Sequence, residues 1–217
     1  MRIGYLGFAA STLLILPAIQ AATILQENFD ELTPMLTATS VGAFQAIDGT
    51  NVDILGGAEF GSLCVSPESN NCVDLDGSGG NSQGVLQTVS SITLMPGINY
   101  FLSFDLIGSQ RGTTASTTVT LGTSGCTGAG CAYNQTFNLT SGDDSSGIVS
   151  NVLVTVNAPT TAFLTFTSNT PGDVGDLLDD VLLTSSSVGS VPEPPTTILM
   201  GAALLGFSML ARRLHRV

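Results

Sequence analysis

Between residues 22 and 190 the chain alternates short apolar runs with clusters of Gly, Asn, Asp and Pro, and no stretch there sustains a period near 3.6 residues. The clearest alternation is in residues 100–107, where Tyr100, Leu102, Phe104 and Leu106 form one apolar face of a strand. Further strands are predicted over residues 23–29, 84–94, 113–122, 133–139, 147–156, 161–167 and 178–184. Asp48-Gly49, flanked by Phe44, Ile47, Val52 and Ile54, has the chemistry of a hairpin turn. Short strands about ten residues apart predict an all-β fold, an antiparallel β-sandwich.

The two ends of the chain break this pattern. Arg2, the apolar residues 4–16, Pro17 and the small residues Ala18, Ala21 and Ala22 predict a signal peptide over 1–21, removed after Ala21 or Ala22. The competing reading is an uncleaved N-terminal anchor, which the short apolar stretch disfavours. At the other end Val191, Pro192, Glu193 and Pro194 precede an uncharged run over residues 196–211, and Arg212, Arg213 and Arg216 follow it. Prolines stop regular structure before the run, and the arginines favour a cytoplasmic end. Its 16 residues fall a little short of the ~20 that span a bilayer comfortably, so a minimal transmembrane helix is predicted. The sequence therefore divides into a signal peptide (1–21), an ectodomain (22–184), a Ser-rich linker (185–190) and a C-terminal signal (191–217).

The order Val191-Pro192-Glu193-Pro194, apolar run, arginine cluster resembles the PEP-CTERM sorting signal of exopolysaccharide-producing Gram-negative bacteria. The resemblance implies export, an inner-membrane intermediate, cleavage near the motif by an exosortase-type membrane protease, and delivery to the cell surface or extracellular matrix. A permanent single-pass anchor on a proline-rich stalk is the alternative. A GPI signal fits less well, because its hydrophobic tail ends the chain.

Charge and cysteines narrow the function of the part in between. Residues 22–190 hold 16 of the 17 acids but only one of the five arginines, Arg111, a net charge of −15, and lysine is absent from the whole chain. Phosphate backbones need clustered cations, so nucleic acid is excluded as a partner. Arg111, as the sole cation, is expected to pair with a carboxylate and fix the loop at residues 108–112. In an exported protein the four cysteines are expected to form disulfides. Of the three possible connectivities the local ones, Cys64 with Cys72 and Cys126 with Cys131, are preferred. Their spacing and the lack of a nearby histidine disfavour zinc.

Three segments, residues 27–32 (ENFDEL), 96–112 (PGINYFLSFDLIGSQRG) and 164–183 (LTFTSNTPGDVGDLLDDVLL), resemble a jelly-roll domain of the galactose-binding-like type. That resemblance implies a structural calcium joining Asp30 to Asp179 or Asp180. Neighbouring side chains on a strand point to opposite faces, so only one of the last two is expected as a side-chain ligand.

For chemistry, absence is informative. The one histidine, His215, lies in the C-terminal signal, so the exported part contains neither a Ser-His-Asp triad nor a Cys-His pair. Paired carboxylates leave a glycosidase-like enzyme as a third choice. Asp74-Leu75-Asp76-Gly77 begins like a calcium loop but lacks the closing glutamate of an EF-hand, and is expected to be an exposed acidic turn. Asp173, Asp176, Asp179 and Asp180 crowd into eight residues, a repulsion that a divalent cation would offset. Tryptophan is absent; Tyr100 is assigned to the core and Tyr133 is the one candidate sugar-stacking ring. The reading is a non-enzymatic exported surface or matrix protein that associates with exopolysaccharide, with a lectin-like module as the alternative.

Overall fold

In a computed structural model, which describes residues 19–56, 63–64, 71–79, 83–142 and 149–188, the alternating stretches become strands of two antiparallel sheets. The strands are β1 (Ile19–Glu27), β2 (Met35–Ala38), β3 (Ser40–Val41), β4 (Phe44–Ala46), β5 (Val52–Gly56), β6 (Asn71–Asp74) and β7 (Val85–Thr88). After them come β8 (Ile92–Leu94), β9 (Asn99–Ile107), β10 (Ala115–Gly122), β11 (Tyr133–Leu139), β12 (Val149–Val154), β13 (Thr160–Ser168) and β14 (Leu177–Val188). The first sheet has the order β12-β9-β14-β6-β5-β2 with β1 also on β14; the second has β11-β10-β13-β7-β4-β3 with β8 also on β13. One compact unit spans residues 21–187, and the other consists of residues 1–20 and 188–217. The expected signal peptide up to residue 18, and all of the C-terminal signal, lie outside the described residues. No helix among the described residues is long and apolar enough to cross a membrane.

Several expectations meet a different outcome. The first strand starts at Ile19 and ends at Glu27, because Phe29 adopts a left-handed φ of 57° and turns the chain. The predicted strand over 84–94 is broken at residues 89–91 into β7 and β8, both paired to β13. The Asp48-Gly49 turn forms, with φ of 57° and 73° and a bond from the Thr50 N–H to the Ile47 carbonyl at 3.0 Å. It does not make a hairpin. Its arms enter different sheets, β4 pairing with β7 and β5 with β2 and β6. Turn chemistry fixes the local reversal and leaves the partners of the emerging strands to tertiary packing.

Alternation decides which side chains meet between the sheets. Phe104 of β9 and Phe166 of β13 pack edge to face with centroids 5.2 Å apart. The contact extends to Phe137 beyond Phe104 (5.9 Å) and to Phe44 and Phe29 beyond Phe166 (6.0 and 6.2 Å). Leu86, Leu102, Leu106, Val119, Leu121, Leu164, Leu178 and Leu183 fill the space around these rings. A second cluster of Leu55, Ile107, Leu177 and the Cys64–Cys72 disulfide lies on the other side of the first sheet. The other local disulfide, Cys126–Cys131, is also formed.

Phe166 is fully buried, so Phe166→Ala removes a large ring from contact with two others. The expected loss is about 3–5 kcal/mol, read from chemical denaturation of the oxidised protein.

Candidate functional site

The inward positions of β10 and β13 are apolar until their last pair, where Thr117 stands opposite Ser168. Both are buried, so one end of the sandwich is polar inside. Asp176 accepts a 2.8 Å hydrogen bond from the Thr117 hydroxyl, and Asp76, fully buried, faces Ser168. The main chain ties the two acidic segments together: the Leu75 N–H donates to the Asp176 carbonyl at 3.0 Å. Asp74 Oδ1 accepts from the N–H groups of Asp76 and Gly175, each at 3.0 Å. This contact requires glycine at 175, since a Cβ there would lie 2.5 Å from the Asp76 nitrogen and 2.7 Å from Asp74 Oδ1.

Arg111 closes the cluster. Its guanidinium forms an ion pair with Asp74 Oδ2 and donates to the Asp173 carbonyl at 3.0 Å. The expected pairing of the lone cation is therefore present, and its partner is Asp74. The loop that carries it is held from both sides. The Gln110 N–H donates to the Ser141 carbonyl, the Gly112 N–H to Ser141 Oγ, and the Ser109 hydroxyl to the Thr113 carbonyl.

The sequence motif at 74–77 is thus not the exposed turn expected of it: Asp74 and Asp76 retain 1 % and 0 % of their surface. β6 runs between β5 and β14 and its far end passes under residues 173–176, which covers both acids. Burial dominates their electrostatics. It raises Asp74 to about 7 against the Arg111 charge, the N–H of Asp76, the Arg111 hydrogen bond and the N–H of Gly175. It raises Asp76 to about 6 against the Ser168 hydroxyl and the Arg111 charge, with Asp173 adding to the rise.

The four acids between 173 and 180 are dispersed. Asp173 and Asp180 are exposed, while Asp176 and Asp179 are buried. A bulge between Asp179 and Leu182 gives Asp180 a φ of 47° and sets its N–H on Asp179 Oδ1 at 2.8 Å. Asp30 is half-buried, with Oδ2 accepting from Asn28 Nδ2 at 2.9 Å. Beside it Asn71 Nδ2 donates to the carbonyls of Phe29, Asp30 and Leu32 at 3.3, 3.1 and 2.8 Å. No three acidic, histidine or cysteine side chains among the described residues form a metal-holding group. Tyr100 is in the core, its hydroxyl accepting from the Met95 N–H at 2.7 Å, and Tyr133 opens β11 half-buried against the core.

Residues 190–213 match the PEP-CTERM protein-sorting motif. The chain carries this sorting signal, which indicates an exported protein held transiently in the membrane and implies an exosortase as a processing partner. No curated protein matches the chain in sequence. Among solved structures, the K3 cleaved adhesin domain of Lys-gingipain from Porphyromonas gingivalis is 17 % identical, TM-score 0.45, over 76 % of this chain and 99 % of that domain. The CBM22-1 xylan-binding domain from Paenibacillus barcinonensis is 13 % identical, TM-score 0.45, over 78 % and 98 %. An arabinose-bound α-L-arabinofuranosidase is 16 % identical, TM-score 0.49, over 76 % of this chain, which spans only 26 % of that enzyme.

The raised acids set a pH dependence opposite to ordinary acid unfolding. A carboxyl whose folded value, about 7 for Asp74, exceeds its unfolded value near 4 binds its proton more tightly in the folded state. That contribution is complete below about pH 4 and is lost as pH rises through about 7. The unfolding midpoint is therefore expected to fall between these limits, and Asp74→Asn to flatten the profile. Arg111→Ala is expected to cost most at the alkaline end, where Asp74 is charged and left without its partner. Denaturation series at stepped pH measure both effects.

Proposed function

We propose that this chain is a non-enzymatic cell-surface or extracellular-matrix protein, exported, held in the inner membrane by its C-terminal signal, released by an exosortase, and associated with exopolysaccharide through its sandwich domain. The sorting motif at 190–213 carries this reading. Its order of proline motif, apolar run and arginines suits a segment that is cut from the protein. The raised carboxyls of Asp74 and Asp76 are what a glycosidase acid requires, yet both are buried beneath residues 173–176. Burial away from solvent favours a structural role for them over catalysis.

Intact-mass measurement of exported protein from cells with the sorting machinery tests the processing step. The mature chain is expected to end near Val191–Pro194 and to lack Arg212–Val217; full-length protein in the surface fraction would refute release.

We also propose a structural calcium, with Asp30 and one of Asp179 and Asp180 as side-chain ligands. The oxygen-only chemistry of these carboxylates and the neighbouring loop carbonyls suits calcium, which takes six to eight oxygens and would draw the rest from water. Bound there it would contribute stability only. Calcium is expected to raise the unfolding midpoint over that in chelator by mass action, and Asp30→Asn to abolish the difference. Identical wild-type melts in calcium and in chelator would dismiss the site.

A further inference from the structure

The two sheets differ in charge. Strands of the first carry Glu27, Asp53, Asp74, Asp105, Asp179 and Asp180, whereas β3, β4, β7, β8, β10, β11 and β13 of the second contain no charged residue. In the second sheet Val41, Phe44, Leu86, Val119, Phe137, Leu164 and their inward neighbours belong to the core, so the residues between them point outward.

The strand registers align those outward residues into rows. One row crosses six strands in register: exposed Asn134 stands opposite half-buried Thr120, then half-buried Thr165, Gln87 (buried between its neighbours, with 6 % of its surface exposed), half-buried Gln45 and exposed Ser40. Strands lie about 4.8 Å apart, so this row is about 24 Å long. The adjacent row holds Thr136, Thr118 and Thr167 in register. Bonds among these groups fix their rotamers. Gln87 Nε2 donates to Thr165 Oγ1 at 3.2 Å, Thr118 and Thr136 share a 2.8 Å contact, and Asn169 Nδ2 donates to Thr118 Oγ1 at 2.9 Å. A threonine hydroxyl has one donor and two acceptor positions, so these bonds leave hydrogen-bonding capacity facing outward. At the end of the next row Phe163 stands opposite Gly122, over which the Cys126 sulfur is packed.

The chemistry of this face selects its partner. A cationic ligand would favour the acidic first sheet, and an anionic polymer is repelled by the domain charge of −15. Protein interfaces concentrate aromatic and apolar residues at their centre, whereas this row is hydroxyl and amide throughout. We propose that the outward face of the second sheet is a binding track for a neutral, hydroxyl-rich polysaccharide lying along the six-strand row. The proposal rests on the reading that the protein works among exopolysaccharide, and gives that reading a surface and a ligand class.

Affinity electrophoresis of the exported protein tests it, with the polysaccharide shed by the producing cells separated on anion exchange into neutral and anionic fractions. The neutral fraction is expected to retard the wild-type protein, with little sensitivity to salt. Thr120→Glu with Thr165→Glu should weaken retardation about tenfold or more, since desolvated charges replace two hydrogen-bonding groups. Asn134→Glu with Thr136→Glu, at exposed positions of the edge strand β11, should act in the same direction while keeping the wild-type melt. Leu153→Ser, exposed on the first sheet, should change nothing. Undiminished retardation of the β11 variant, in folded form, overturns the track. Retardation by the anionic fraction alone overturns the face and ligand class but leaves the matrix reading standing; retardation by neither removes both. A wild-type dimer that the β11 variant dissolves in sedimentation would assign the face to a second copy and overturn the proposal.

Discussion

The edge-to-face contact of Phe166 with Phe104 sets the positions of both sheets. Each ring comes from the interior of a nine-residue strand, and each brings neighbours from its own sheet into the core. Once these two positions face inward, the period-two geometry of a strand fixes the facing of its other residues. A slip of one residue in β13 would move Phe163, Thr165 and Thr167 into the core and expose Leu164 and Phe166. The same alternation thus specifies the dry interior and the hydroxyl-bearing exterior.

A second constraint is the shortage of cations. Sixteen acids share one arginine between residues 22 and 190, so buried carboxylates must be stabilised in other ways. Backbone N–H groups serve most often. Glu27 accepts from Phe29 and Ala43, and Asp53 from Thr37 and from both the N–H and the hydroxyl of Ser78. Asp74 receives the guanidinium, and it still binds a proton more readily than an exposed aspartate. The acids also segregate by sheet, and this leaves the second sheet free of charge.

β9 and β13 are legible within a residue or two, because one apolar face leaves a strong local signal; residues 133–139 are legible at both ends although only Phe137 and Leu139 of that strand are buried. Asp48-Gly49 identified a turn but not its topology, since strand partners are chosen by distant residues such as Leu86 and Val73. The burial of Asp74 and Asp76 was not legible, because two acids and a glycine within four residues have the composition of a surface loop. Their environment comes from Gly175 and Arg111, remote in sequence. The pairing of Arg111 could be anticipated from its being the sole cation, but the choice of Asp74 among the available acids could not. The row from Asn134 to Ser40 left no motif, since each strand supplies a single member and the registers alone assemble it.

The lone arginine has one more consequence, for survival outside the cell. Proteases that cut after lysine or arginine find no lysine and a single arginine in residues 21–187. At that arginine the guanidinium they must capture is already bound to Asp74 and the Asp173 carbonyl, and the loop carrying it is held by Ser109 and Ser141. Reagents that modify side-chain amines likewise find none in this unit. The folded domain is thereby shielded from a large class of extracellular peptidases by its composition and by one ion pair.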